Sequence, residues 1–226
     1  MKKGIDWETL TPKEMFERSK KRGMKYSKGL NESAVKVGLL LLMPYIFWLT
    51  TYSDSYVETL QGQPLHLDFE GVMLALHNLF TSANLIIHES GHGICYLLSC
   101  PEMLMFLNGT LFQLALPAFV IYYYRRRGQV LGMGLGALWL AQNLIYVAWY
   151  MSYAQTPNKY PFFLGGSATH DFWYIFSHLG VLEYDWLIAG IVRTIAVVLL
   201  LGSYSYLLYN TFIKRDEKRK RRNRHE

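Results

Sequence analysis

Residues Asn84 to Leu98 read NLIIHESGHGICYLL. Two histidines and a glutamate stand in a run of Leu, Ile, Cys and Tyr that would otherwise read as a lipid-facing helix. Ionisable groups in so apolar a setting cost several kcal/mol unless something binds or pairs them. The character of the surrounding chain decides how that cost is met.

The chain has 226 residues, of which 51% are hydrophobic, 15% aromatic and only 18% charged. So much apolar material in a short chain predicts an all-α, polytopic integral membrane bundle rather than a soluble domain. The charges crowd into the two ends. Residues 1–36 hold ten of the 23 Lys+Arg, residues 214–226 hold eight, and Arg125–Arg127 hold three. The basic tail directly follows an apolar run and no nucleic-acid-reading motif is present. It therefore reads as a topology signal drawn to anionic lipid headgroups, and no nucleic-acid partner is expected.

Three regions follow from this pattern. Residues 1–33 form an amphipathic cytoplasmic segment, with Thr11–Pro12–Lys13–Glu14 as a capping box opening a helix to about Arg22. Residues 34–212 form the membrane domain, and residues 213–226 a basic cytoplasmic tail. No cleavable signal peptide is expected, because the first apolar run starts near Ala34 behind a basic polar segment. Five to six hydrophobic segments are predicted, from apolar runs at about 34–51, 69–98, 103–124, 130–150 and 186–212. Gly132, Gly134 and Gly136 suit close helix approach. Cys95 and Cys100 are too few for a metal or disulfide framework and read as small apolar packing residues.

Orientation follows from the basic residues. Both termini and the Arg125–Arg127 loop should face the cytoplasm of a plasma (inner) membrane, leaving loops 52–68 and 153–185 outside. Parity then requires the second segment to begin and end outside. Either that segment is a hairpin or re-entrant segment broken near Asn84–Gly93, tolerated where it lines a polar cavity, or the Arg125–Arg127 triplet breaks the positive-inside rule; the hairpin is the favoured reading.

His88–Glu89–Ser90–Gly91–His92 matches HExxH. On a helix, positions i and i+4 share a face, so both imidazoles can reach one ion. Glu89 adjoins the first ligand and is placed to take a proton from a water that zinc acidifies. Zn2+ is the expected cofactor. It wants a third protein ligand, and the stretch GGSATHDFWYIFSHLG (165–180) supplies two candidates, His170 and Asp171. His77 lies eleven residues before His88, about 16 Å along a helix, too far to share the ion. Adjacent residues rarely bind one ion together, so one of the His170–Asp171 pair should ligate while the other orients a neighbour. The bland alternative for the pair is a helix cap.

Four further residues are candidates for substrate contact or ligand support. Asn84 lies one turn before His88 on the same face, and Gln113 and Asn143 are amides within spans. Asn84 reads equally as interhelical glue, which is the ordinary reading of Gln113 and Asn143. His178 is a candidate oxyanion stabiliser whose ordinary reading is structural.

HExxH in a membrane-embedded helix, with a distant acid and few spans, resembles the site-2 protease class of intramembrane zinc metalloproteases. The similarity covers His88–His92 and extends loosely to NGTLFQLALP, residues 108–117. In that family two histidines and a later aspartate hold zinc, and the motif glutamate activates water for peptide-bond cleavage within the membrane. The resemblance implies His88 and His92 as ligands, Glu89 as base and, by analogy, Asp171 as third ligand. The family's aspartate precedes a glycine within a span; here the acid stands in His170–Asp171–Phe172–Trp173.

The expected function is a zinc metallopeptidase in contact with membrane lipid, acting on a peptide or membrane-protein substrate. Two rivals remain. One is a di-iron or lipid-modifying enzyme drawing on His77, His88, His92, His170 and His178. The other is a non-enzymatic transport or scaffold protein with a structural polar cluster.

Overall fold

The computed structural model describes residues 32–51, 68–160 and 169–214. The predicted helix at residues 11–22, most of the outer loop 52–68 with His66, and the tail with His225 lie outside the described residues. Among the described residues there are six α-helices and no strand: α1 (Glu32–Thr51), α2 (Phe69–Leu97), α3 (Glu102–Arg126), α4 (Val130–Met151), α5 (Asp171–Leu179) and α6 (Asp185–Leu208). Short 3-10 turns occupy Pro157–Lys159 and Leu182–Tyr184, and a π-helical turn, Tyr209–Lys214, extends α6. The all-α membrane bundle is as expected.

Four stretches are long and apolar enough to cross a membrane, Ser33–Thr51, Glu102–Arg126, Val130–Met151 and Leu182–Ile213, rather than the five to six predicted. Besides the nine-residue α5, the helix outside that set is α2. Its 29 residues are ample in length, but His77, Asn78, Asn84 and the HESGH run lower its hydropathy. It is also one unbroken helix, so the hairpin predicted near Asn84–Gly93 does not form.

The local chemistry at the ends of α2 explains its extent. Asp68 caps the start, its carboxylate accepting from the Gly71 N–H at 2.8 Å. At the far end the chain turns back through Ser99, at φ 51, and the Cys100 N–H donates to the Cys95 carbonyl at 2.9 Å. That reversal brings the two thiols together, and Cys95 and Cys100 form a disulfide. This corrects the expectation that they only pack. A five-residue separation misses bonding distance on a continuous helix, but α2 stops at Leu97.

The buried positions of α2 are Gly71, Leu74, His77, Thr81, Asn84, His88, Gly91 and Cys95, spaced by three and four. This stripe carries four polar side chains, whereas Leu79, Ile86 and Leu97 point outward and are exposed. A soluble helix has the reverse pattern. In lipid the polar face must turn inward, where other helices can satisfy it.

Contacts at the helix ends align the bundle. Lys36 lies over the Phe212 ring, and the Tyr204 hydroxyl donates to the Leu39 carbonyl at 2.7 Å. Gly132 abuts Tyr124 and Gly134 abuts Leu207, the close approaches the glycine run predicted. The start of α1, the end of α3 with Arg125–Arg127, the start of α4 and the end of α6 therefore share one end of the bundle. A core of Leu39, Leu49, Leu138, Ile145, Leu200 and Leu207 binds α1, α4 and α6. At the other end Phe172, Ile175 and Phe176 of α5 sink into a second core with Val147 and Tyr150. Residue 171 rides on that anchored helix.

Candidate metal centre

Three side chains converge at the end of the bundle remote from the arginines. His88 and His92, one turn apart on α2, face Asp171 at the first turn of α5. The His88 and His92 Nε2 atoms are 3.0 Å apart. Asp171 Oδ2 lies 3.0 Å from the first and 3.3 Å from the second. His88 and Asp171 are buried and His92 is half-buried. Among the described residues this is the one group of three His, Cys, Asp or Glu that fits around a metal ion.

The hydrogen-bond partners fix where the imidazole hydrogens lie. The Asn143 Nδ2 donates to the Trp139 carbonyl at 2.9 Å, an atom that can only accept. Asn143 Oδ1 therefore faces Gln113 and accepts from its Nε2 at 2.8 Å. That leaves Gln113 Oε1 against His88 Nδ1 at 3.2 Å, where it must receive an N–H. His92 Nδ1 likewise donates to the Met105 carbonyl, at 2.7 Å. Both rings carry a hydrogen on Nδ1, which turns both Nε2 atoms towards each other and towards the Asp171 carboxylate.

Three such atoms so close are held together either by protons shared among them or by a cation, and the group could hold a metal ion. Tetrahedral zinc, with bonds of about 2.0–2.2 Å, sets its donors about 3.3–3.6 Å apart; the His92–Asp171 separation of 3.3 Å matches and the other two, at 3.0 Å, are a little shorter. Gly109 of α3 adds a second fit. A Cβ on it would run into Nε2 of His92 and lie 2.7 Å from Nε2 of His88. A glycine keeps the ground beside both ligand atoms clear. Gly91, inside the motif, lets α3 come this close, since a Cβ there would meet the Asn108 carbonyl oxygen at 2.5 Å.

Asp171 is aimed by its neighbours. His170 caps α5, its Nδ1 accepting from the Trp173 N–H at 3.3 Å, and its ring lies 4.1 Å from that of Tyr150. Burial pushes the His170 imidazole down to about 4 despite the adjacent Asp171 charge, which keeps Nδ1 free to accept. The Tyr150 hydroxyl accepts from the Asp171 N–H at 3.1 Å, tying the first turn of α5 to α4. Between the two candidate third ligands, the structure brings Asp171 to the histidines and uses His170 as the cap.

The other predicted residues divide. Gln113 and Asn143 support His88. Asn84 does not reach the triad: its Oδ1 accepts from the Trp139 indole and its Nδ2 donates to Gln142 Oε1, both at 2.9 Å. His178 is outside the site, stacked on Tyr174 with Nδ1 against the Tyr174 carbonyl. His77 lies against Tyr45 and Trp48. The five-histidine set of the di-iron reading is thus not assembled. Glu89 is exposed.

Sequence reasoning missed Gly109, Tyr150, Gln142 and the Met105 carbonyl. The Asn108–Gly109 pair was visible, but a small residue in a span reads as general packing. Gln142 was overshadowed by its neighbour Asn143. Comparison of the chain with protein-family models, curated proteins and solved structures finds no match.

Proposed function

We propose that the protein is a membrane-embedded zinc metallopeptidase of the HExxH type, holding the ion through His88, His92 and Asp171 with Glu89 as general base. The observation that carries this reading is the convergence of His88 Nε2, His92 Nε2 and Asp171 Oδ2, with each imidazole hydrogen-bonded through its other nitrogen. Two imidazoles and one carboxylate around a compact centre form a donor set of the catalytic zinc type. When bound, zinc supplies a Lewis acid that polarises a carbonyl oxygen and brings the pKa of a water towards neutrality.

The chain's own residues do the rest. Gln113 and the Met105 carbonyl hold the rings in register, and Tyr150 holds Asp171. Glu89, next to the first ligand and not spent on the triad, takes the proton of the attacking water and returns it to the leaving amine nitrogen. A peptide or membrane-protein substrate suits a centre sunk among apolar helices, in keeping with the resemblance to site-2 proteases.

Orientation belongs to the same reading. Residues Arg125–Arg127 and the basic ends mark the cytoplasmic end of the bundle. The metal centre then lies towards the opposite side, where the Cys95–Cys100 disulfide finds an oxidising compartment.

Metal analysis of the purified protein tests the proposal, alongside His88→Ala and Glu89→Gln. About one zinc per chain is expected in wild type and in Glu89→Gln, with the ion lost from His88→Ala. Peptidase activity should fall by roughly 10²–10⁴-fold in Glu89→Gln. Unchanged zinc in the histidine variant rejects the centre; full turnover in the glutamine variant rejects the base.

A further inference from the structure

Gln142 of α4 is 5% exposed, and its Oε1 accepts from Asn84 Nδ2. Its Nε2, also buried, has no acceptor among the described residues. A carboxamide nitrogen with unmet N–H groups in an apolar bundle is costly and marks a place where an acceptor belongs.

The position gives that acceptor a meaning. Asn84, which holds Gln142, lies one helical turn before His88 on the same buried face of α2. A bonded series of side chains and one carbonyl runs from His88 through Gln113, Asn143 and Trp139 to Asn84 and Gln142. The unmet donor stands at its end, on α4, held by Asn84, which is one turn along α2 from His88. Along its length α2 packs on α3 and touches α4 little, so this bridge is the main polar bond between α2 and α4.

A peptide strand reaching the metal centre at membrane depth brings carbonyl and N–H groups that lipid cannot satisfy. Carboxamides carry both a donor and an acceptor, as a peptide unit does. We propose that Gln142, held by Asn84, is a backbone-binding subsite whose Nε2 donates to a carbonyl oxygen of the substrate peptide beside the scissile bond. The subsite deepens the metallopeptidase reading and rests on it.

Zinc-binding hydroxamates test the subsite. The probes are acetohydroxamate, which engages the metal alone, N-acetyl-leucyl-leucyl hydroxamate, and the same dipeptide with its distal carbonyl reduced to methylene. In Gln142→Leu, zinc content and acetohydroxamate affinity should match wild type, while the dipeptide binds roughly tenfold more weakly. Wild type should lose a similar factor when the carbonyl is removed from the probe, and the variant should lose nothing further. Equal dipeptide binding by the two proteins overturns the subsite and leaves Gln142 as helix-packing glue. If Gln142→Leu does not fold, the two dipeptides on wild type decide, and equal affinity again overturns it. Wild type that holds no zinc, or does not bind acetohydroxamate, sinks the metallopeptidase reading and the subsite together.

Discussion

Asp171 stands 3.0 Å from Nε2 of His88, joining two residues 83 positions apart in the chain. The contact exists because α5 is pinned to α4 by Phe172, Ile175 and Phe176 and by the Tyr150 hydroxyl. Asp171→Ala removes one of three donors without disturbing those anchors. Zinc affinity should fall at least a hundredfold in a chelator competition, with helix content unchanged by circular dichroism. Retention of wild-type affinity would show that His88 and His92 hold the ion without α5.

Gln113 determines which nitrogen of His88 is free. Gln113→Leu leaves the Nδ1–H of His88 without an acceptor, so zinc binding should weaken by roughly 10–100-fold, the usual range for support residues. Gln113→Glu keeps an acceptor in place and should bind more tightly than the leucine variant. If the two substitutions weaken binding equally, Gln113 only fills space.

Gly109→Ala places a methyl group against both Nε2 atoms. We expect the variant to insert, fold and form its disulfide but to carry less than a tenth of the wild-type zinc, measured by elemental analysis. Gly93, whose Cβ would meet nothing within 4 Å, supplies the control. Gly93→Ala should keep the full complement, and a zinc-replete Gly109→Ala would mean that α3 can stand off far enough to admit the methyl group.

The Cys95–Cys100 disulfide gives a test of sidedness. In intact cells, a membrane-impermeant thiol reagent applied after an impermeant phosphine should label these cysteines. In a Cys95→Ser/Cys100→Ser background, a cysteine introduced as Arg126→Cys should stay unlabelled until the membrane is opened. The opposite pattern inverts the proposed orientation.

Much of the centre was legible because its chemistry is periodic. His88 and His92 at i and i+4 share a helix face whatever surrounds them, and their apolar flanks signalled that something must bind or pair them. Asp171 could be narrowed to a pair but not separated from His170, because capping depends on where α5 begins. The predicted hairpin failed for a different reason. Charge patterning reports the sides on which chain ends lie, not whether a helix between them is continuous. The disulfide was missed because five residues look unbridgeable until the stop at Leu97 and the reversal through Ser99 are known. Gln142, Tyr150 and Gly109 act through partners on other helices, and no local pattern reveals such a role.

The inward polar stripe of α2 also constrains how the protein is made. Alone in a bilayer, α2 would turn His77, Thr81, Asn84 and His88 towards hydrocarbon. The partners of Asn84 and His88 belong to helices synthesised later: Trp139 and Gln142 on α4 hold Asn84, and Gln113 on α3 and Asp171 on α5 hold His88. Stable membrane integration of α2 must therefore wait until the ribosome has passed α4. Nascent chains released before that point should be extractable or degraded, while longer ones are retained.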